Sequence, residues 1–260
     1  MDRRSFFQVL GAGSLLTAAP APATAGSANS RSDTALARHR NLFNGDSCVY
    51  FYNPEMWQPE GGPYTAKVIH RYVGLLAENG IDTFLINPNA QVAWYPSKKL
   101  QTVIDGYKRG DHEFFRGHAI ATGVTPDKMD EYLNSISSFF NLYLDLVEQG
   151  VDWLAETSKA CRACGVSPWI SCRMNDMHGS ANPEGSNFNC ALFKQAKYRL
   201  SGRPMDPSDA PNKYWMGLNY EHREVREFML ANIREWMEDY DFEGLELDWL
   251  RNPLCCEPVA

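Results

Sequence analysis

Short apolar runs alternate along this chain with amphipathic helical patterns, and that alternation constrains the fold more than any single residue does. Parallel strands need a crossover between them, and a helix is the usual one. The first run is Cys48-Val-Tyr-Phe-Tyr52, closed by Asn53-Pro54, with a helix expected from about Tyr64 to Asn79 and a stop at Gly80. The second, Thr83-Phe-Leu-Ile86, ends in Asn87-Pro88-Asn89. A long insert from Ala90 to about Lys128 follows, holding Trp94, Tyr95, His112, Phe114, Phe115, Arg116 and His118. Loops of that length are usually functional or disordered. Helical patterns at Pro126–Glu148 and Val151–Cys164, ended by Gly165, lead to the third run, Val166–Cys172, which enters Arg173-Met-Asn-Asp-Met-His178. Residues 179–219 read as loop, and His222–Glu238 as a helix with Val225, Phe228, Met229, Ile233, Trp236 and Met237 at three- and four-residue steps. The fourth run, Phe242–Leu250, enters Arg251-Asn252-Pro253.

The pattern stops after four βα units, half of what a closed (β/α)8 barrel requires. A doubly wound nucleotide fold would place a Gly-rich turn after the first strand, and Asn53-Pro54-Glu55-Met56 is no such turn. The expected fold class is therefore α/β of (β/α)8 TIM-barrel type, with residues 41–260 forming the N-terminal half of the barrel. A half barrel leaves strand edges and a core-facing sheet surface uncovered, so self-association through those edges is expected.

Barrel enzymes carry their active groups at the C-terminal ends of the strands, where the βα loops enclose one mouth. Every predicted strand here ends in polar residues: Asn53; Asn87 and Asn89; Arg173, Asn175, Asp176 and His178; Glu246, Asp248 and Arg251. Any one Asn-Pro is explained by turn chemistry that stops a strand. Together they favour a shared mouth. Alternation along the last strand points Glu246 and Asp248 the same way, roughly 7 Å apart, with Glu246 deeper. Two acids in an apolar run need partners or a task. Arg173 and Arg251 are available partners, so a purely structural ion-pair cluster is the alternative to a catalytic site.

Glu243-Gly-Leu-Glu-Leu-Asp-Trp-Leu-Arg-Asn-Pro253 resembles the Asp-Gly-Ile-x-x-Asp-x-x-Arg-x-Pro strand of bacterial glycosyl-hydrolase-like (family-ten-like) barrel proteins, with Glu243 in place of the usual Asp. Arg173-Met-Asn-Asp-Met-His178 resembles the third-strand motif of the same proteins, and the resemblance spans about residues 45 to 253. It implies a glycosidase-like protein acting on a carbohydrate, without a cofactor. By likeness to retaining glycosidases, Asp248 would be the nucleophile, with Glu246, Asp176 and Arg251 orienting it or binding hydroxyls. Arg173, Asn175, His178, Asn87 and Trp249 complete the expected substrate-binding set. Glycoside hydrolysis takes two carboxyl groups, and in those families the second comes from a later strand. Two rival readings stand beside it: a non-catalytic carbohydrate-binding protein on the same fold, with Trp57, Trp94, Tyr95 and Trp249 as stacking platforms, and an inactive truncated fragment that lacks the later strand and its second carboxylate. The chitinase signature fails because Leu250 stands where its catalytic Glu belongs.

Other chemistries find less support. No Gly-x-Ser-x-Gly elbow is present. His178 and His222 lack the converging partners of a metal centre, so no metal is expected. Seven cysteines at irregular spacing do not form a disulfide framework, and Cys161-Arg-Ala-Cys164 lies in a helical run as two packing residues. A net charge of −7 leaves no basic face for nucleic acid. Met1-Asp2-Arg3-Arg4-Ser5-Phe6-Phe7, a short apolar stretch and small residues before Ala25 resemble a bacterial twin-arginine export signal, with residues 1–40 as leader and linker. Export to the periplasm or beyond is expected. No later stretch approaches the length of a membrane span.

Overall fold

The computed structural model describes residues 41–46, 48–200, 217–249 and 253–257. The expected leader and linker, and Arg251, lie outside the described residues. Four strands, β1 (Leu42–Asp46), β2 (Thr83–Asn87), β3 (Ser167–Arg173) and β4 (Gly244–Asp248), form one all-parallel sheet in sequential order. The main helices are α1 (Lys67–Glu78), α2 (Met129–Glu148), α3 (Trp153–Cys164) and α4 (Arg223–Asp239).

Local chemistry explains the helix ends. The Asp152 carboxylate accepts from the backbone N–H groups of Leu154 at 3.0 Å and Ala155 at 3.2 Å, capping α3. At its other end Gly165 takes the left-handed conformation, φ 71°, that stops a helix without a Cβ clash. α1 buries Val68, Ile69, Tyr72, Val73 and Leu76, one stripe at three- and four-residue spacing.

The first strand differs from expectation. Residues 48–52 form no strand; Val49–Phe51 is a 3-10 turn, and Asn53 follows it in the left-handed region, φ 54°. The strand is Leu42-Phe-Asn-Gly-Asp46, whose single buried aromatic, Phe43, makes a weaker apolar signal than Val49-Tyr-Phe51. The stronger run is apolar because it plugs the core. Tyr50 and Phe51 pack against Trp153, and the Tyr50 hydroxyl lies 2.8 Å from that of Thr157. The long insert is likewise ordered, with short helices at His112–Phe115 and Arg116–Ala121 and a stacked pair, Phe115 on Phe140.

Strand alternation divides the sheet. Phe43, Phe84, Ile170 and Cys172 face the helices and are buried. By register and alternation, Asn44, Asp46, Leu85, Asn87, Trp169, Ser171, Arg173, Gly244, Glu246 and Asp248 share the opposite face. The Asn44 amide on β1 donates to Ser171 Oγ on β3 and to Glu246 Oε2 on β4, each at 2.9 Å. On a flat sheet β1 and β4 would stand about 14 Å apart, three spacings of ~4.8 Å. Side chains rising from those strands could not meet over that gap. The sheet is therefore curled into a trough with its polar face inside. Among the described residues, no helix is long and apolar enough to cross a membrane.

The trough floor is tight where β3 meets β4. A Cβ on Gly244 would lie 2.5 to 2.6 Å from three atoms of the Trp169 indole, which rests on the glycine. Gly244→Ala is expected to displace that indole and to lower stability by about 1 to 3 kcal/mol, the usual penalty of overpacking. Urea unfolding followed by tryptophan fluorescence measures both effects.

Candidate active site

The strand ends on the trough side carry the charged groups. Arg173, only 11% exposed at its side chain, donates Nη1 to Asp176 Oδ2 at 3.2 Å and Nη2 to Asp46 Oδ1. A cation this deep needs such partners, because an unpaired buried charge is strongly destabilising. Asp176 is itself buried and receives three further contacts. The His178 backbone N–H donates to Oδ1 at 2.8 Å, closing an Asx turn, while His178 Nδ1 lies 2.8 and 2.9 Å from the two carboxylate oxygens. Burial alone would raise the Asp176 carboxyl, but His178 and the Arg173 guanidinium outweigh it and hold the group well below the usual carboxylate range.

The end of β2 and the loop after it keep this cluster in place with a ladder of side-chain amides. Asn87 donates to the carbonyl of Ser171 at 2.7 Å, Asn89 to that of Arg173 at 3.1 Å, and Gln91 to that of Asp176 at 2.9 Å. The strands stop pairing through their backbones, and amides two residues apart carry the pairing onward. Asn89 also accepts from the Arg173 N–H at 3.2 Å. The Asn87 Oδ1 atom is buried without a hydrogen-bond partner, and its orientation is fixed because the amide nitrogen must face the Ser171 carbonyl.

Glu246 and Asp248 lie on the trough face, as the alternation of the last strand predicts, and both are half-buried. Glu246 stands level with Ser171 and is held by Asn44; Asp248 stands level with Arg173, one layer nearer the mouth, and its carbonyl accepts from the Met174 N–H at 3.1 Å. Trp249 is half-buried with its ring edge-on to Tyr220 at 4.9 Å.

Several expected site residues have other duties. Asn53 lies at no strand end, because the strand it was to close is a turn. Asn175, expected to bind substrate, donates to the carbonyls of Leu218 at 3.3 Å and Leu254 at 2.6 Å, and accepts from the Leu218 N–H at 2.8 Å. It is a buried clamp between loops. Trp57 and Tyr95, expected as stacking platforms, belong to the core. The Trp57 indole donates to the Tyr52 carbonyl at 2.8 Å, and the Tyr95 hydroxyl donates to Glu235 at 2.9 Å. Trp94 packs partly buried against Phe140 and Phe188.

Asn44, Asp46, Ser171 and Gln91 join the site without having been singled out in the sequence. Asn44 and Asp46 alternate with buried Phe43 and close-packed Gly45, a period-two signal overshadowed by the apolar run beside it. His118 from the insert lies within electrostatic reach of His178 and Asp176. It is buried, stacked on Phe188 at 3.6 Å, with Nδ1 3.2 Å from Ser186 Oγ. Among the described residues, no group of three or more His, Cys, Asp or Glu is arranged to hold a metal ion.

No protein-family model matches the chain. Among curated proteins it is similar to two 1,4-alpha-glucan branching enzymes. That of Xanthomonas euvesicatoria pv. vesicatoria is 30% identical over 103 residues, and that of Xanthomonas oryzae pv. oryzae 29% identical over 103 residues. Each match covers 37% of this chain, and the chain spans only 12% of the length of these relatives.

The buried histidine gives the fold a pH dependence. Burial and then the charge of His178 push His118 down to about 4, with Asp176 opposing. The unfolded chain protonates it near 6.5, so stability is full above that pH, falls as pH drops towards 4, and levels off below. At pH 5 the loss should be roughly 2 kcal/mol. Urea unfolding at pH 7.5 and pH 5 checks it: His118→Phe is expected to be less stable at the higher pH but to lose less on acidification.

Proposed function

We propose that the trough is part of a (β/α)8 barrel of glycoside-hydrolase type, resembling the family-ten-like proteins, and that its mouth acts on the glycosidic bonds of a carbohydrate. Asp248 is the principal catalytic carboxylate in this reading, with Glu246 beside it and Arg173 and Arg251 as substrate or orienting groups. The observation that carries it is the bond from Asn44 on the first strand to Glu246 on the fourth, which curls the sheet as a barrel wall requires and turns the acids inward. The partial similarity to glucan branching enzymes supports a carbohydrate as the substrate class. Glucans are therefore the first polymers to test. Asp176 does not serve as the second catalytic carboxyl here, because it is buried and fixed by Arg173 and His178. The outer edges of β1 and β4 pair with no strand among the described residues, and self-association through them belongs to the same reading.

Wild-type protein and Asp248→Asn should be assayed on a panel of α- and β-linked glucans, galactans and xylans. Turnover by the wild type and a loss of at least about a thousandfold in the variant are expected for a nucleophile. Equal rates would remove Asp248 from the mechanism.

The resemblance of the N-terminus to a twin-arginine signal supports export by that route. Replacing Arg3 and Arg4 together by Lys should leave the protein in the cytoplasmic fraction of a bacterial host, whereas the unaltered chain should appear outside it. Immunoblots of the two fractions decide the point.

A further inference from the structure

We propose that Cys172, Met174 and Met229 form a binding site for one copper(I) ion, a function separate from the carbohydrate reading of the trough. The three sulfurs come from three parts of the fold: Cys172 from β3, Met174 from the turn just after it, and Met229 from α4. Cys172 Sγ lies 3.6 Å from Met174 Sδ and 3.5 Å from Met229 Sδ. A thiol has one hydrogen to donate, so hydrogen bonding accounts for at most one of those contacts. Apolar packing needs only volume, which leucine would supply as well. One ion shared by the sulfurs accounts for both contacts at once.

The spacing suits a metal. Metal–thiolate bonds are about 2.3 Å long, and two bonds of that length to sulfurs 3.5 or 3.6 Å apart enclose an angle of about 100°. The ligands are also held in place. The Met174 N–H donates to the Asp248 carbonyl at 3.1 Å, and its own carbonyl accepts from the Tyr220 hydroxyl. Cys172 sits within the β3–β4 pairing, level with Leu247. The cysteine is fully buried, and the little solvent contact of the cluster is at Met174 and Met229, both themselves buried.

The donor set selects the ion twice over. Thiolate and thioether are soft ligands, the kind that favour copper(I) over harder ions. Charge makes the same choice: one thiolate and one monovalent ion sum to zero, whereas a divalent ion would leave net positive charge in the core, where it is costly. Burial pushes the Cys172 thiol far above its ordinary range, and the charge of Asp248 adds to the rise, so the residue stays a neutral thiol until an ion arrives. Binding then breaks the S–H bond. Its electron pair forms the copper–sulfur bond, the proton leaves to solvent, each thioether donates a lone pair, and copper keeps its oxidation state.

The test uses the full chain with its two exposed thiols, Cys164 and Cys256, changed to Ser so that they do not compete for the ion. Copper(I) is supplied anaerobically as its bicinchoninate complex, and transfer to the protein is followed by loss of the colour of that complex. One copper per chain is expected, with three sulfur neighbours in X-ray absorption at the copper edge and a raised melting temperature. Met174→Leu and Met229→Leu conserve volume and should fold, which near-UV circular dichroism checks. Each is expected to weaken binding at least about tenfold and to reduce the sulfur neighbours from three to two. Cys172→Ala should abolish binding, and zinc(II) should not displace the copper. No copper taken up by the parent, equal affinity in both leucine variants, or copper retained by Cys172→Ala would each overturn the site.

Discussion

An asparagine on the first strand that donates to a glutamate on the fourth makes this sheet a trough. Without that curl, the polar residues of alternate strand positions would spread over a broad flat face. With it, they converge. Asn44 also donates to Ser171, so the hydrogens of one amide bind the third and fourth strands together. Glu246 is consequently placed by a partner rather than left to sample rotamers. The helices supply the complementary force, since Phe84 and Cys172 turn away from the trough and are buried beneath α1 and α4, where Cys172 touches Met229.

Arg173 then organises the mouth electrostatically. It joins the ends of β1 and β3 through Asp46 and, through Asp176, reaches the loop that carries His178. The desolvation of a guanidinium is tolerable only with two acids at hand. Those acids are thereby committed. Asp46 and Asp176 balance a cation; Glu246 and Asp248 stand on the neighbouring strand, half-buried on the same face.

Much of this was legible in the sequence, and the failures have a physical cause. Strands β2, β3 and β4 and helices α1 to α4 follow from apolar periodicity and glycine stops, and all emerge within a few residues of expectation. The pairing of Glu246 with Asp248 on one face follows from strand alternation alone. The first strand was missed because a polar face leaves little apolar signal: Asn44 and Asp46 are on the trough side for a reason that also hides them. Aromatic residues misled in the opposite sense. Trp57 and Tyr95 look like sugar platforms by type, but their polar atoms are bonded inside the core, which composition does not reveal. The clamp made by Asn175 was equally invisible, since its partners Leu218 and Leu254 lie far along the chain.

The amide ladder of Asn87, Asn89 and Gln91 has a directional character. Every rung runs from a nitrogen donor at the end of β2 or just after it to a carbonyl of β3 or the loop that follows, so the three side chains work only while their terminal groups are NH2. Exchange of one such group for oxygen, the difference between Asn and Asp, would set a negative acceptor against a lone pair, with almost no change of volume. Size-conserving substitution is therefore no guide to tolerance at these three positions. The seam between the ends of β2 and β3 is written in polarity, and a single heavy atom can reverse its sign.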